Sequence, residues 1–212
     1  MVRLYPIIGP GDVFATRSIV SDLLRSGIRY LQLRAGSPGS GSAARTLAAA
    51  KELMPEASET KVTLVVNDRV DIALLAGCGV HLGQSDLSAD DARRLLGWDK
   101  VIGLSTHNRD EALTVAGADY VAVGPVFPTD TKQDAAPAIG LAGIRELAQV
   151  IRTQTSPRRT PVVAIGGITP ANFRSCIESG ADFVAAISAL RVAGPSSRLS
   201  PDAGSLIEKF EA

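Results

Sequence analysis

Two aspartates stand just beyond two short apolar segments and are the leading candidates for chemistry in this sequence. Asp68 follows the segment 62–66, and Asp86 follows the segment 79–82. If both segments are neighbouring parallel strands, the two carboxylates lie together and suit magnesium, which prefers one or two carboxylates, water and phosphate oxygens. Taken singly, Asp68 could instead cap a helix starting at Arg69, and Asp86 could belong to a turn.

A pair of glycines, Gly166 and Gly167, is the second candidate and suits an anion. Glycine lets backbone N–H groups approach a phosphate closely, and a helix N-terminus favours its charge. With Ser188, the pair falls where barrels often bind phosphate, after strands seven and eight. The alternative is an ordinary turn before a helix that Thr169 caps. We favour a site for a phosphorylated ligand.

The long connection 125–140 carries Thr129, Thr131 and Lys132. Its length exceeds what a simple crossover needs, which favours a substrate lid or binding loop over a solvated connection. His107 has no serine or cysteine nucleophile in a matching constellation. We therefore assign it a structural or substrate-orienting role rather than acid–base catalysis.

Four further residues of reactive or aromatic type are interpreted as structural. His81 lies inside a predicted strand, where a hydrogen-bonded barrel residue is the expected role rather than a metal ligand. Cys78 and Cys176 have no metal-ligand spacing and are expected to be buried thiols of a reducing compartment. Trp98 is predicted to pack at the end of a helix.

Composition excludes several classes of function. The 212 residues include 22 Lys and Arg and 22 Asp and Glu, so no net basic field exists to hold nucleic acid or an anionic membrane. A hydrophobic fraction of 45% predicts a folded core. Neither a signal peptide nor an apolar stretch of membrane-spanning length is visible, so we expect a cytoplasmic protein.

The elements that position these residues alternate between strand and helix. Eight short segments are apolar on both faces, as expected of covered parallel strands, and segments with helical spacing separate them. This alternation predicts a compact single-domain (β/α)8 TIM barrel spanning residues 1–212, with a doubly wound open sheet as the alternative. The predicted strands are 4–8, 28–34, 62–66, 79–82, 101–104, 120–123, 162–165 and 183–187.

Glycines mark the predicted ends of several helices. Gly27, Gly77, Gly117 and Gly180 each stand just before a predicted strand, where a helix commonly ends in a left-handed residue. Two of these junctions have nearly the same sequence, GADYVA and GADFVA. They are predicted to be copies of one structural unit.

Five ordered motifs resemble those of the thiamine-phosphate synthase family. Any one motif is modestly specific, whereas the ordered set is highly specific, and the resemblance runs from about residue 4 to residue 190. The motifs are NDRVD at 67–71, GVHLGQSD at 79–86, GLSTH at 103–107, GPVFPTDTK at 124–132 and AIGGI at 164–168.

The resemblance implies a role for each matching residue. Magnesium would be bound by Asp68 and Asp86. The aminopyrimidine diphosphate would be held by Gln32, Arg34, Asn67, Ser105 and Lys132. The thiazole phosphate would be held by Thr129, Thr131, Gly167, Ile187 and Ser188.

The implied reaction joins the two substrates to give thiamine phosphate and diphosphate. Magnesium, Arg34 and Lys132 would stabilise the departing diphosphate, and Ser105 would complete the catalytic set. The electron-rich aminopyrimidine supports the resulting methylene cation, which the thiazole nitrogen captures. Positioning two substrates and excluding water is then the main contribution of the protein.

The sequence departs from the family pattern at two places. Ala35 and Gly36 stand where the family usually has an acidic residue and a lysine, so one diphosphate contact is either missing or supplied by another cation. The first strand ends in Ile8, Gly9 and Pro10, where relatives tend to have a polar pair.

Two other functions remain open from sequence. A related thiazole tautomerase would use one thiazole phosphate and His107, but it would not need Asp68 and Asp86. A non-catalytic thiamine-precursor binding protein would bind its ligands without turnover. The sequence leaves open the oligomeric state, including a homo-oligomer.

Overall fold

Eight parallel strands hydrogen-bond in chain order and close into a barrel, because β8 pairs back onto β1. The computed structural model describes residues 2–35, 42–129, 136–191, 199–201 and 207–210. The closed barrel confirms the predicted fold and rules out the doubly wound open sheet. The strands are β1 (Leu4–Ile8), β2 (Tyr30–Leu33), β3 (Thr63–Asn67), β4 (Gly79–Leu82), β5 (Ile102–Thr106), β6 (Tyr120–Val123), β7 (Val162–Ile165) and β8 (Phe183–Ala186).

Helices surround the barrel and cover the outer face of the strands. Their apolar sides pack on the strand residues, which are buried along most of their length, as the apolar character of both strand faces predicted. The helices are α1 (Pro10–Ala15), α2 (Arg17–Arg25), α3 (Ala43–Glu59), α4 (Val70–Ala76), α5 (Ala89–Leu96), α6 (Arg109–Ala112), α7 (Gly140–Gln154) and α8 (Phe173–Glu178). Within the described ranges, no helix combines the length and apolar character needed to cross a bilayer.

Aromatic side chains fill the inside of the barrel. Tyr5, Tyr30 and Tyr120 are all buried, and the Tyr30 and Tyr120 ring centroids lie 5.2 Å apart. Gly103 makes room for them, because a Cβ atom there would overlap the Tyr120 ring. The barrel interior is therefore a packed core rather than a pore.

The two repeated junctions fix neighbouring strands at the amino-terminal face of the barrel. Asp119 accepts a hydrogen bond from the Ile102 N–H (2.7 Å), and Asp182 accepts one from the Val162 N–H (3.0 Å). Each carboxylate also pairs with two arginines. The two segments are thus one structural unit used twice, as predicted, and they lie at the end of the barrel associated with stability.

Local predictions at the ends of helices are confirmed in part and corrected at three positions. Gly77 has φ of 73° and is the C-cap of α4, as predicted. Gly117 has φ of 88° but does not end a helix, because α6 already ends at Ala112 and Gly117 lies in a later turn. Trp98 is not packed: it is 85% exposed, with the Arg93 guanidinium 5.2 Å from its ring centroid. The helix after Gly167 does not begin at Thr169, because residues 169–172 form a turn and α8 begins at Phe173.

Candidate active site

A cavity of about 450 Å³ opens at the carboxyl ends of the barrel strands. Residues that the sequence spreads over more than 150 positions meet there because every strand of the barrel ends at the same rim. Thr131, Lys132 and Gly36 lie outside the described residues. The other site residues predicted from sequence all line the cavity: Gln32, Arg34, Asn67, Asp68, Asp86, Ser105, Thr129, Gly167, Ile187 and Ser188.

Asp68 occupies a backbone conformation that few non-glycine residues adopt. Its φ is 63°, in the left-handed region, and its N–H donates to the His81 carbonyl oxygen at 2.7 Å. The residue does not cap α4, since the N-cap position belongs to Arg69. The capping interpretation is therefore wrong. Strained residues of this kind concentrate at functional sites, and Asp68 lines the cavity.

Asp86 is held at the same cavity by a tight turn. Its Oδ2 atom accepts a hydrogen bond from the Gly83 N–H at 2.6 Å. Helix α5 is capped separately by Ser88, whose hydroxyl oxygen accepts from the Asp91 N–H at 3.1 Å. The Asp86 carboxylate is thus not used to start the helix, and its second oxygen suits a cation.

The donor set at this end of the cavity fits magnesium. Asp68 and Asp86 line one cavity, and within the described part of the chain no group of three or more His, Cys, Asp or Glu side chains could hold a metal. Two carboxylates completed by water and phosphate oxygens match the preference of magnesium, whereas zinc usually takes three or four protein ligands. Arg34 lines the same cavity and suits the phosphate anion.

The opposite side of the cavity is built from glycines after β7. Gly166 and Gly167 have φ of 99° and 63°. A Cβ atom on Gly167 would lie 2.7 Å from both the Phe127 Cβ atom and the Pro128 carbonyl oxygen, so no side chain fits there. The backbone therefore approaches the cavity closely beside Ile187 and Ser188, as an anion site requires.

His81 is a buried residue that lines the cavity, and its burial disfavours the charged imidazolium. Its Nε2 atom is 2.9 Å from the Ser105 hydroxyl oxygen, and its Nδ1 atom is 2.9 Å from the Tyr120 hydroxyl. Burial, followed by the charge of Arg34, lowers the pKa of His81 to about 4. The prediction of a hydrogen-bonded barrel residue is confirmed. That His81 also lines the cavity was not predicted, because its position inside a strand indicates only a barrel residue.

His107 is oriented by an acidic neighbour on α6. Its Nδ1 atom lies 2.8 Å from Glu111 Oε2, and the same oxygen accepts the His107 backbone N–H at 2.7 Å. The ring lines the cavity and is fixed at its Nδ1 edge. This arrangement fits the substrate-orienting role predicted for it, which stays a prediction.

One partly buried ion pair near the site was not predicted. Asp12 accepts the Gly9 N–H at 2.7 Å and pairs with Arg191, which follows β8. The pair joins α1, the helix that follows β1, to the segment after Ser188. Its residues lie 179 positions apart, and no local pattern connects them.

The family model for thiamine monophosphate synthase matches residues 4–190. The chain belongs to this family. The match covers all eight strands and every predicted site residue. It also confirms the resemblance drawn from the five ordered motifs.

Members of the thiamine monophosphate synthase family are similar to the chain over most of its length. A thiamine-phosphate synthase of Methanosarcina barkeri is 44% identical over 82% of this chain and 76% of its own. One from Koribacter versatilis is 42% identical over 90% of this chain and 89% of its own. The structure of thiamine phosphate pyrophosphorylase from Pyrococcus furiosus superposes with a TM-score of 0.77 at 30% identity, covering 99% and 93% of the two chains.

Proposed function

We propose that the protein is a thiamine-phosphate synthase that joins an aminopyrimidine diphosphate to a thiazole phosphate and releases diphosphate. The observation that supports this proposal is a single cavity lined, after different strands, by two sets of groups that suit phosphate. One end has Asp68, Asp86 and Arg34, and the other has Gly167 and Ser188. Two phosphorylated substrates can therefore be held with their reacting groups between these ends.

The acidic end suits magnesium and the diphosphate. Asp68 and Asp86 would hold the ion, which when bound neutralises charge on the diphosphate oxygens. Arg34 contributes a fixed positive charge from the neighbouring strand β2, and we assign Lys132 to the same group of phosphate oxygens. These charges act on the group that gains negative charge as the carbon–oxygen bond breaks.

The remaining chemistry needs no covalent protein nucleophile. Gln32 and Ser105 hold the aminopyrimidine, whose amino group supports the methylene cation, and the thiazole nitrogen captures that cation. Burial raises the pKa of the Cys78 thiol to about 12 and that of Cys176 to about 11, so neither is a thiolate at neutral pH. We place this reaction in the cytoplasm, with these two substrates as partners and the oligomeric state open.

Replacing Lys132 by alanine is expected to slow diphosphate departure more than it weakens thiazole phosphate binding. Losing a positioned cation in a desolvated site costs about 2–4 kcal/mol of transition-state stabilisation. Single-turnover kinetics separates the chemical step from binding. A normal chemical rate with weaker thiazole phosphate binding would assign Lys132 to the other end of the cavity.

Replacing Gly167 by alanine is expected to raise the KM for thiazole phosphate by about tenfold or more, because the new methyl group displaces the backbone that faces the phosphate. The matched control is Gly77→Ala. Gly77 has φ of 73° but open space around its Cβ position, so this variant bears only the cost of backbone strain. Equal KM values in the two variants would remove Gly167 from the phosphate site.

Substrate omission distinguishes the proposal from the two alternatives. Phosphorus NMR is recorded with thiazole phosphate alone, pyrimidine diphosphate alone, and both together with magnesium. A synthase gives thiamine phosphate only from the mixture. Isomerisation of thiazole phosphate alone would indicate the tautomerase, and saturable binding of both compounds without product would indicate the binding protein.

A further inference from the structure

A chain of five hydrogen-bonded side chains runs through the barrel and reaches the cavity at both ends. Gln32 Nε2 lies 3.2 Å from the Tyr5 hydroxyl, which lies 2.7 Å from the Tyr120 hydroxyl. Tyr120 contacts His81 Nδ1 at 2.9 Å, and His81 Nε2 contacts the Ser105 hydroxyl at 2.9 Å. Gln32, His81 and Ser105 line the cavity, whereas Tyr5 and Tyr120 do not.

The direction of every hydrogen bond in this chain follows from its first member. An amide nitrogen can only donate, so Tyr5 accepts from Gln32 and passes its own hydrogen to Tyr120. Tyr120 then donates to His81 Nδ1, which leaves the His81 hydrogen on Nε2, where it donates to Ser105. The Ser105 hydroxyl hydrogen remains for the cavity, and the Gln32 amide oxygen remains as an acceptor.

If every hydrogen bond in this series ran the other way, Ser105 would offer a ligand an acceptor instead of a donor. If the Gln32 amide were turned by 180°, its oxygen would accept from Tyr5, and His81 would carry its hydrogen on Nδ1. Ser105 would then donate to His81 and present only an acceptor to the cavity. The tautomer of His81 therefore reports which hydrogen-bonding pattern the cavity offers.

We propose that Tyr5 and Tyr120 are positioning residues that fix Ser105 as a donor and the Gln32 amide oxygen as an acceptor, and so select an aminopyrimidine over an oxopyrimidine. An aminopyrimidine offers a ring nitrogen that accepts and an amino group that donates. The oxo counterpart offers a ring N–H and a carbonyl oxygen, which is the reverse pattern. This inference rests on the proposed function for the identity of the ligand.

Tyr120 is suited to this role because it cannot move. Its ring is fully buried, packs 5.6 Å from the Tyr5 centroid in an edge-on arrangement, and lies directly over Gly103. Burial raises the pKa of both tyrosines, so each keeps its hydroxyl hydrogen. A rigid polar chain of this kind leaves its terminal groups one orientation.

Nitrogen-15 NMR of the ligand-free wild-type protein tests the direction of the hydrogen bonds directly. The sequence has two histidines, so His81→Gln assigns both imidazole spectra. We expect a pyridine-like Nδ1 and a pyrrole-like Nε2 in His81. The opposite assignment, or an equal mixture of tautomers, overturns the proposal.

Tyr120→Phe tests the consequence, with Tyr30→Phe as the matched control. Both changes remove one hydroxyl from the same aromatic cluster, but Tyr30 is not one of the five hydrogen-bonded residues from Gln32 to Ser105. We expect Tyr120→Phe to mix the His81 tautomers and to raise the KM for the pyrimidine diphosphate roughly tenfold, the effect of one lost buried hydrogen bond. The KM for thiazole phosphate should not change. Identical behaviour of the two variants overturns the proposal.

Calorimetry keeps this test separate from the proposed function. Wild type and Tyr120→Phe are titrated with 4-amino-2-methyl-5-(diphosphooxymethyl)pyrimidine and with its 4-oxo counterpart, without thiazole phosphate. We expect wild type to prefer the amino compound by roughly 100-fold and the variant to lose most of that preference. Equal binding of both compounds by wild type overturns the inference. Absent turnover with preserved discrimination would instead reject only the synthase assignment.

Discussion

Replacing Asp68 or Asp86 by asparagine is expected to lower the magnesium-dependent kcat by about 100-fold or more. Each change removes one of the two carboxylates that line the acidic end of the cavity, and with it most of the charge that would hold the ion against the diphosphate. Loss of a group that acts on developing charge commonly costs about 3–4 kcal/mol in the transition state. Initial rates measured over a range of magnesium concentrations test this.

The matched control is Asp71→Asn, in the same sequence motif as Asp68. Asp71 is exposed and pairs with Arg69 instead of facing the cavity. This variant should retain the wild-type rate and magnesium dependence, and all three variants should keep the wild-type melting temperature within a few degrees. Full activity in the presence of a chelator, or in the Asp68→Asn, Asp86→Asn double variant, would show that the reaction needs no magnesium at these two carboxylates.

Asp119→Ala is expected to lower the free energy of unfolding by about 3 kcal/mol, the largest stability effect we predict. The carboxylate accepts from the Ile102 N–H and pairs with Arg93 at 2.6 Å. Arg93 is only 7% exposed, so removal of the Asp119 carboxylate leaves the buried Arg93 cation without its counter-charge. Denaturant unfolding measures the difference.

Asp182→Ala is the natural control, because the second copy of the repeated unit makes the same backbone contact. Its partners Arg152 and Arg159 have side chains that are 35% and 70% exposed, so water replaces the lost pairing and the loss should be about half as large. An effect of Asp182→Ala as large as that of Asp119→Ala would show that burial of the arginine is not the cause.

The stability that Asp119 contributes should depend on pH in a defined direction. Burial acts to raise the pKa of Asp119, but hydrogen bonds from Arg158, Ile102 and Arg93 outweigh it and place the pKa below its usual value. A depressed carboxyl pKa stabilises the fold above the unfolded-state value near 4, and this contribution is lost as the pH falls through the lower folded-state value. The stability gap between wild type and Asp119→Ala should therefore narrow in acid.

The barrel could be predicted from the sequence because the patterns that mark its strands and helices are local. Apolar runs mark the strands, and a glycine at a helix end needs only its own backbone conformation. Most predicted strand bounds agree with the structure to within two residues. The meeting of Asp68 with Asp86, and of Gly167 with Ser188, also followed from sequence, since the barrel topology brings all strand ends to one rim.

Features that depend on distant residues could not be predicted in the same way. The exposed position of Trp98 depends on what packs beside the end of α5, and the left-handed conformation of Asp68 depends on its bond to the His81 carbonyl. The hydrogen-bonded series from Gln32 to Ser105 joins five strands through contacts up to 115 positions apart. No spacing pattern in the sequence encodes such contacts.

The synthase assignment is tested most directly by the product formed when the purified protein, magnesium and both substrates are mixed. Phosphorus NMR and chromatography should show thiamine phosphate and diphosphate appearing in equal amounts, at a rate proportional to protein concentration and abolished by a chelator. Failure to form thiamine phosphate from a folded protein that binds both substrates would contradict the account. Formation of thiamine phosphate without equimolar diphosphate would contradict the proposed displacement.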